Sequence, residues 1–186
     1  MMADAQTFPA NYIARVVELP PTGGVEKEFV AKNADGRALT VRIEPANGLA
    51  WTASFASPIP GVRALSGMFA TPSPESLCVV ERGTAFAGDV RTGVGFDTPL
   101  DISPVVEVTP LVSVGLLLLQ SPWEIAGLDS RGTRWISRRI AVDGFRVLGL
   151  RDGQIVGVAD TQIEARSFSV NARTGEVSGA PDLPGD

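Results

Sequence analysis

The sequence predicts an all-β protein, and three observations favour strands over helices. The 20 glycines and 14 prolines are spread along the whole chain of 186 residues. No window of helical length shows apolar residues at i, i+3, i+4 and i+7 without one of them interrupting the pattern. Short alternating segments rich in β-branched or aromatic residues recur between turn signals instead. We expect antiparallel strands in hairpins and meanders with little helix, arranged as a small propeller, a sandwich or a barrel.

Thirteen segments show this strand pattern, which is a large number for one sheet. Most are bounded by glycine, proline, asparagine or aspartate, the residues that favour turns. In chain order the segments are Glu28 to Val30, Leu39 to Ile43, Trp51 to Phe55, Leu77 to Val80, Ala85 to Val90, Val105 to Val108, Val112 to Gln120, Glu124 to Leu128, Thr133 to Ile140, Phe145 to Leu150, Gln154 to Ala159, Ser167 to Val170 and Glu176 to Ser178.

Four segments between these strands share one turn chemistry. In each, an Asp or Asn can hydrogen-bond to its own backbone, and a Gly supplies the positive φ of a tight hairpin. None has the alternating carboxylates, closed by a Glu, of a calcium loop, so no metal is expected. We predict that these segments are hairpin tips: Asn33 to Gly36, Asp129 to Gly132, Arg151 to Gln154 and Asn171 to Gly175.

Two proline-containing stretches divide the chain, because proline blocks regular strand pairing. They run from Ala56 to Pro74 and from Gly93 to Pro104. We expect an N-terminal β segment over residues 1–60 and a β-meander segment over residues 61–180, packed together as one compact domain. The tail at residues 181–186 holds two prolines and two aspartates and is expected to be frayed.

The composition excludes several classes of function. The chain has no His, which removes the Ser-His-Asp and Cys-His arrangements and the commonest metal ligand. Cys78 is the one cysteine, so it forms no disulfide within the chain, and its apolar surroundings predict a buried side chain. The net charge of -5 argues against binding to nucleic acid or to an anionic membrane. With no recognisable catalytic motif, the sequence leans towards a protein that is not an enzyme.

Neither the N-terminus nor the apolar runs predict a membrane-directed protein. Residues 1–11 lack the basic region and apolar core of a secretory signal. The longest apolar run, Leu111 to Leu119, has about half of the ~20 residues that a membrane helix needs. The single thiol agrees with a cytoplasmic location, although a mature secreted protein would look the same.

One repeat in the C-terminal meander resembles a known family. The segments Gly115 to Leu119, Trp123 to Asp129, Ser130 to Thr133 and Arg134 to Trp135 follow each other as strand, strand, turn and a third strand with Trp near its start. This order resembles the blade repeat of quinoprotein-type β-propellers, in which a strand ends in Leu and Asp, a turn ends in Gly, and a Trp follows. Weaker echoes are Phe168 to Val177 and Phe29 to Arg37.

The resemblance implies a fold built from blades and covers about 60 of the 186 residues, where a blade takes about 40. The chain has room for about four blades. No position matches a quinone or calcium site of that family, so no cofactor is expected. Otherwise the sequence looks like that of a small bacterial β protein.

Candidate binding residues lie where tryptophan and arginine concentrate. Guanidinium groups suit carboxylates and phosphates, and Trp rings stack on sugars or apolar side chains. The alternative for the arginines is a solvated edge strand whose charges prevent pairing with another strand. The alternative for Trp123 and Trp135 is packing in the core, whereas Trp51, which follows Gly48, is expected on a surface turn. A bulge near Ser137 would reconcile the broken alternation of its strand. The candidates are Trp51, Trp123, Trp135, Arg134, Arg138 and Arg139.

Three functions compete on this sequence. The first is a non-enzymatic module that binds a protein partner or a small ligand through these tryptophans and arginines. The second is a carboxylate-dependent hydrolase acting on a sugar-like substrate, with acids such as Asp97 and Asp101 in the middle loop. The third is a structural or oligomerising accessory subunit, including a homo-oligomer, whose exposed strands pair with a partner.

Overall fold

The computed structural model describes residues 7–18, 24–61, 63–142, 144–160 and 165–180, and it confirms the all-β prediction. The described strands form four sheets, named A to D here in chain order. Sheet A has the strand order β1-β3-β4-β2 and contains β1 (Tyr12–Val16), β2 (Lys27–Val30), β3 (Ala38–Pro45) and β4 (Trp51–Ala56). Sheet B is the meander of β5 (Gly67–Ala70), β6 (Ser76–Glu81) and β7 (Thr84–Asp89).

Sheets C and D are four-stranded meanders. Sheet C contains β8 (Glu107–Leu111), β9 (Leu116–Gln120), β10 (Ile125–Asp129) and β11 (Gly132–Ile136), with a 3-10 turn at Val112–Val114 between its first two strands. Sheet D contains β12 (Phe145–Arg151), β13 (Gln154–Asp160), β14 (Ala165–Asn171) and β15 (Val177–Ser178). Among the described strands, all pairings are antiparallel except that of β2 with β4. This succession of sheets fits a β-propeller-like fold.

The sheets pack face to face in chain order, because side chains of period 2 point alternately to the two sides of a strand. In β6, Leu77 and Val79 belong to the core shared with sheet A, whereas Cys78 and Val80 belong to the core shared with sheet C. In β9, Leu117 and Leu119 face sheet B. Leu116 and Leu118 of that strand face sheet D. The continuous apolar run at residues 116–119 therefore serves two different interfaces.

An arginine at the tip of the β6–β7 turn ties sheet B to the β2–β3 connection. Arg82 has φ +45 and is followed by Gly83 with φ +82, the conformation of a tight hairpin turn. Its guanidinium donates to both carboxylate oxygens of Asp35, at 2.8 and 2.6 Å, and to the backbone oxygen of Ser57. The hydrogen bonds from the Arg82 guanidinium to the carboxylate lower the pKa of Asp35 to about 2. Arg82 Nε also lies 3.3 Å from Glu81 Oε1.

Every predicted strand segment overlaps an observed strand, with three corrections. Residues 112–114 form the 3-10 turn, which Gly115 closes with φ +62 and a backbone N–H donated to Val112 O. Residues 137–140 lie beyond β11, since Ser137 turns inward to accept the backbone N–H of Ile125 at 3.0 Å. The strands β1 and β5 were not predicted, as their short sequences combine small, polar and apolar residues without a clean alternation.

Three of the four predicted hairpin tips are confirmed, and one is wrong. The turns before β11, β13 and β15 each connect hydrogen-bonded neighbours. Asn33 to Gly36 connects β2 to β3, but β4 lies between those strands in the sheet, so the segment is not a hairpin tip. The expected bulge lies at Arg134 and not near Ser137, because Gly127 pairs with Trp135 and Leu128 with Thr133. The predicted frayed tail, residues 181–186, lies outside the described residues.

Candidate ligand-binding cleft

A cavity of about 310 Å³ lies where one end of sheet B meets the β10–β11 turn of sheet C. We call it the B–C cleft. Three chain segments build its wall: the β5–β6 turn, the end of β7 with the loop that follows, and the β10–β11 turn. Its lining residues are Thr71, Ser73, Glu75, Ser76, Ala87, Gly88, Asp89, Val94, Gly95, Leu128, Asp129, Ser130, Arg131 and Gly132.

Hydroxyl side chains fold the first wall. The Thr71 hydroxyl lies within hydrogen-bond distance of two backbone oxygens, 3.0 Å from Ser73 O and 3.1 Å from Ser76 O. The Ser76 hydroxyl donates to Gly88 O at 3.0 Å and so connects the turn to β7. Because the Thr71 side chain is almost wholly buried, this turn has a fixed shape at the floor of the cleft.

Asp89 shapes the second wall at the end of β7. Its Oδ1 accepts the backbone N–H groups of Arg91 and Thr92, at 2.9 and 2.8 Å, and the Thr92 hydroxyl at 3.0 Å. Partial burial raises the pKa of this carboxyl, but the hydrogen bonds from Thr92 and Arg91 outweigh it, and the pKa is lowered overall. Asp89 therefore stays ionised at neutral pH.

The loop after β7 approaches its strand so closely that glycine is required at two positions. A Cβ on Gly88 would lie 2.6 Å from the ring of Phe96, and one on Gly95, where φ is +101, would lie 2.8 Å from Ala87 O. The ring of Phe96 is fully buried in the core between sheets A and B. The anchoring of Phe96 therefore fixes the position of Val94 and Gly95 in the cleft wall.

The third wall is the β10–β11 turn, where a nearly buried carboxylate has one weakly held cation. The Asp129 side chain is 12% exposed, and its Oδ1 accepts the backbone N–H of Arg131 at 2.7 Å. The Arg131 guanidinium is 83% exposed and approaches Asp129 Oδ2 only to 3.4 Å. Since such an exposed arginine is strongly solvated, it leaves much of the Asp129 charge uncompensated.

The cleft is rich in oxygen acceptors and carries a negative charge. Glu75, Asp89 and Asp129 supply three carboxylates against the single lining cation of Arg131. Arg91, outside the lining, lies 3.0 Å from Glu75 Oε2 and 4.0 Å from Asp89 Oδ2, so Asp129 is the carboxylate with the weakest compensation. Within the part of the chain that the structure covers, no group of three His, Cys, Asp or Glu side chains is placed to hold a metal ion. This arrangement can hold an ammonium, a guanidinium or a hydroxyl-bearing group by charge and hydrogen bonds.

Two of the tryptophans predicted to bind a ligand, Trp51 and Trp135, are buried in the cores. Trp51 begins β4 and is buried, so it does not lie on a surface turn; its indole N–H donates to Val90 O at 2.7 Å. The Lys27 ammonium lies 4.5 Å above the Trp51 ring. Trp135 is buried in the other core, between sheets C and D, and donates to Ala172 O at 3.0 Å. The tryptophans therefore do not form one cluster.

Trp123 and Arg139 are brought together, at the end of sheet C opposite the cleft. The guanidinium carbon of Arg139 lies 6.0 Å from the ring centroid of the half-buried Trp123. Beside them, burial and the charge of Asp101 raise the pKa of Glu124, and Arg139 opposes the shift. The other predicted arginines, Arg134 (exposed) and Arg138 (half-buried), also lie outside the cleft lining.

Sequence reasoning missed most of the cleft. The Asp129 to Gly132 turn was recognised, but only as a hairpin tip. Glu75 was noted only as one of several acids close in sequence, as a pair with Glu81, and Asp89 gave no signal. The pairing of β6 with β7 brings Glu75 and Asp89 together, and Asp129 joins them only because sheets B and C stack. The acids named for a hydrolase, Asp97 and Asp101, do not line the cleft.

No protein-family model and no curated protein matches the chain. Among solved structures, the chain is similar to the N-terminal domain of Nup159, with 12% sequence identity and a TM-score of 0.36. The match covers 97% of this chain and 53% of that structure, so the chain spans about half of its length. Similarity at this level assigns no function. The described residues also contain no helix with the length and apolar character needed to cross a bilayer.

Proposed function

We propose that the protein is a non-enzymatic binding module whose B–C cleft receives a cationic group, a guanidinium or an ammonium, from a protein partner or a small ligand. One observation carries the proposal: a cavity of about 310 Å³ lined by three carboxylates, of which Glu75 and Asp89 lie near Arg91 whereas Asp129 has only the exposed Arg131. The volume is at the lower end of the range of ligand sites, about 300–1,000 Å³, and suits one side chain or a small molecule.

The charge pattern favours a cation over an anion. Asp129 is nearly buried and poorly neutralised, so a ligand cation that displaces the Arg131 guanidinium would gain a charge-assisted hydrogen bond in a partly desolvated site. The net charge of -5 would also attract cationic partners over longer distances at low salt.

The hydrolase hypothesis finds less support in this cleft. A carboxylate pair that cleaves a glycoside needs one carboxyl that stays protonated near neutral pH. Hydrogen bonds lower the pKa of Asp89 in the cleft. The raised pKa belongs to Glu124, which is not a lining residue of the cleft.

Calorimetric titration with Nα-acetyl-L-arginine amide, and with its uncharged isostere Nα-acetyl-L-citrulline amide, tests the proposal. We expect saturable binding of the arginine derivative and at least tenfold weaker binding of the citrulline derivative. Asp129→Asn keeps an oxygen for the Arg131 N–H and removes the charge, so it should weaken binding by about fivefold to tenfold, roughly 1–1.4 kcal/mol. Glu44→Gln, on the outer face of sheet A, is the matched control and should leave binding unchanged.

A second arm separates a protein partner from a free ligand. A peptide with one internal arginine, compared with its citrulline counterpart, reports whether the cleft accepts a side chain presented on a backbone. Equal binding of arginine and citrulline derivatives, or preferential binding of glutamate, would contradict the proposal.

Four finer expectations stay predictions. They are blades of the quinoprotein type, a cytoplasmic location, the division of one compact domain at residue 60, and partner binding through Trp123 and its neighbouring arginines. The surface around Trp123 and Arg139 is the part of the predicted site that retains an accessible ring beside a cation. Substituting Trp123→Ala and repeating a partner capture would test it separately from the cleft.

A further inference from the structure

Every open sheet has two edge strands, and an edge with free backbone groups can pair with another strand. Among the described strands, seven of the eight edges are blunted. The features that blunt them are the charges of Lys27 and Glu28 on β2, the segment Thr7–Phe8 beside β5, the loop through Val94 and Leu100 along β7, Pro110 in β8, bulges at β11 and β12, and the two-residue length of β15.

The strand β1 has none of these features apart from a single charge. It pairs over five regular positions with β3, and it contains no proline and no bulge. Its one charged residue is Arg15. No described segment pairs with its other side. Its side chains also leave apolar surface open, since Ile13 is 50% and Val16 is 57% exposed.

The register of β1 shows which backbone groups are open. Asn11 accepts from the N–H of Ala46 at 2.7 Å, and the N–H of Val17 donates to Thr40 at 3.0 Å. Hydrogen-bonded pairs alternate along an antiparallel ladder, so Ile13 and Arg15 bond to β3 as well. The N–H and C=O groups of the three residues between these positions therefore point away from the sheet, at Tyr12, Ala14 and Val16.

We propose that β1 pairs antiparallel with β1 of a second copy of this chain, about a two-fold axis at Ala14. In this register Ala14 faces Ala14 of the partner subunit, and Tyr12 faces Val16 of the partner subunit. All three open residues of each strand enter hydrogen-bonded pairs, which gives six backbone hydrogen bonds. The two sheets A become one sheet of eight strands, within the usual range.

The side chains favour a second copy over an unrelated strand. Ile13 faces Arg15 of the partner subunit, so the two arginines are not opposed, and each covers an isoleucine that is otherwise half exposed. The exposed Val16 packs against the Tyr12 ring of the partner subunit on the other face. The strand is thus complementary to itself, as a two-fold interface requires. The pairing does not depend on the B–C cleft.

Sedimentation over a concentration series, with charge variants on the outer face, tests both the dimer and its register. Ile13→Lys places a lysine opposite Arg15 of the partner subunit. Within its own chain, the new lysine lies opposite Glu44 on the neighbouring strand β3. The dimer should dissociate about threefold to tenfold more readily, from two repelling cross-strand pairs, without loss of monomer stability. The double variant Ile13→Lys with Arg15→Glu should restore or exceed the original affinity.

The double variant is also compatible with the fold of the monomer, because the glutamate at position 15 lies opposite Arg42 on β3. Thermal unfolding of each variant confirms that the fold is kept. Hydrogen exchange adds a second readout: the amides of Tyr12, Ala14 and Val16 should become protected as concentration rises, while those of Ile13 and Arg15 are protected throughout.

Three results would overturn the proposal. A chain that stays monomeric to about 1 mM has no self-association of useful strength. A dimer whose affinity is the same in the parent, in Ile13→Lys and in the double variant uses another surface, and so does a dimer in which the amides of Tyr12, Ala14 and Val16 stay unprotected. A monomer whose β1 amides become protected only on adding an extended peptide pairs with a foreign strand instead.

Discussion

Substituting Phe96→Ala should remove a large part of the stability of the protein and loosen the B–C cleft at the same time. The Phe96 ring is fully buried, with ring centroids 5.2 Å from Phe29, 5.3 Å from Phe55 and 6.3 Å from Trp51. It also fills the space above Gly88. The substitution leaves a cavity bordered by three aromatic rings that are held by their own strands.

The expected loss is about 3–5 kcal/mol, the range for Phe→Ala in well-packed cores. The upper half applies because the neighbouring rings are fixed and cannot collapse into the space, and because ring pairs add about 0.5–1.5 kcal/mol each beyond area burial. A protein of this size loses about 2–4 °C of melting temperature per kcal/mol, so a loss of about 4–5 kcal/mol corresponds to a decrease of about 8–20 °C. Phe96→Leu keeps most of the volume and should cost about 1–2 kcal/mol.

Urea denaturation, followed by tryptophan fluorescence and circular dichroism, measures this loss. Leu49→Ala, at a side chain that is 90% exposed, is the control and should change the free energy of unfolding by less than about 0.5 kcal/mol. Binding of Nα-acetyl-L-arginine amide should weaken at temperatures where Phe96→Ala is still folded, since Val94 and Gly95 lose their anchor. A stability loss below about 1 kcal/mol would refute the packing described for this ring.

Three further predictions follow from other sites. Gly127→Ala should lower the free energy of unfolding by about 1–3 kcal/mol in urea melts, because the new Cβ would lie 2.7 Å from the Trp135 ring. Burial raises the pKa of Cys78 to about 12, so Ellman's reagent should label it at the rate of unfolding, and rapid labelling of the native protein would contradict its burial. Asp35 has its pKa lowered to about 2 by Arg82, so its stabilising contribution is complete above about pH 4 and is lost as pH falls towards 2. The stability difference between the parent and Asp35→Asn, measured by urea melts from pH 6 to 2, should therefore shrink across that window, and a difference independent of pH would contradict the ion pair.

Strand content was predictable from the sequence because alternation is a local signal. The run around Leu116 to Leu119 was recognised as buried strand, although nothing local shows that its even and odd residues face different sheets. The strand β1 was missed because Ala14 and Arg15 interrupt its apolar pattern, and it is defined by pairing with β3, far along the chain. Trp51 was placed on a surface turn because Gly48 precedes it, whereas the residue begins β4 and its ring packs with Phe29 and Phe96 in the core between sheets A and B.

The site was less predictable than the fold, for a physical reason. Glu75 and Asp89 are brought together by the pairing of β6 with β7, and only the stacking of sheet B on sheet C adds Asp129 to the same cavity. Each looks like an ordinary surface acid in its own segment. Trp51 and Trp135 were predicted as binding residues, but each is buried and its indole N–H donates to a backbone oxygen outside its own strand, at Val90 and Ala172 respectively.

The stacking of the sheets also determines which sheets stabilise each other during folding. Sheets B and C each contribute side chains to two cores, whereas the described cores of sheets A and D are each shared with one neighbour. Such a row behaves like a short linear chain of coupled units, in which stability passes only between neighbours. Opening an outer sheet costs one interface, but opening an inner sheet costs two. The B–C cleft spans the one junction between inner sheets, so a ligand bound there would stabilise the central coupling, on which the persistence of the whole row depends.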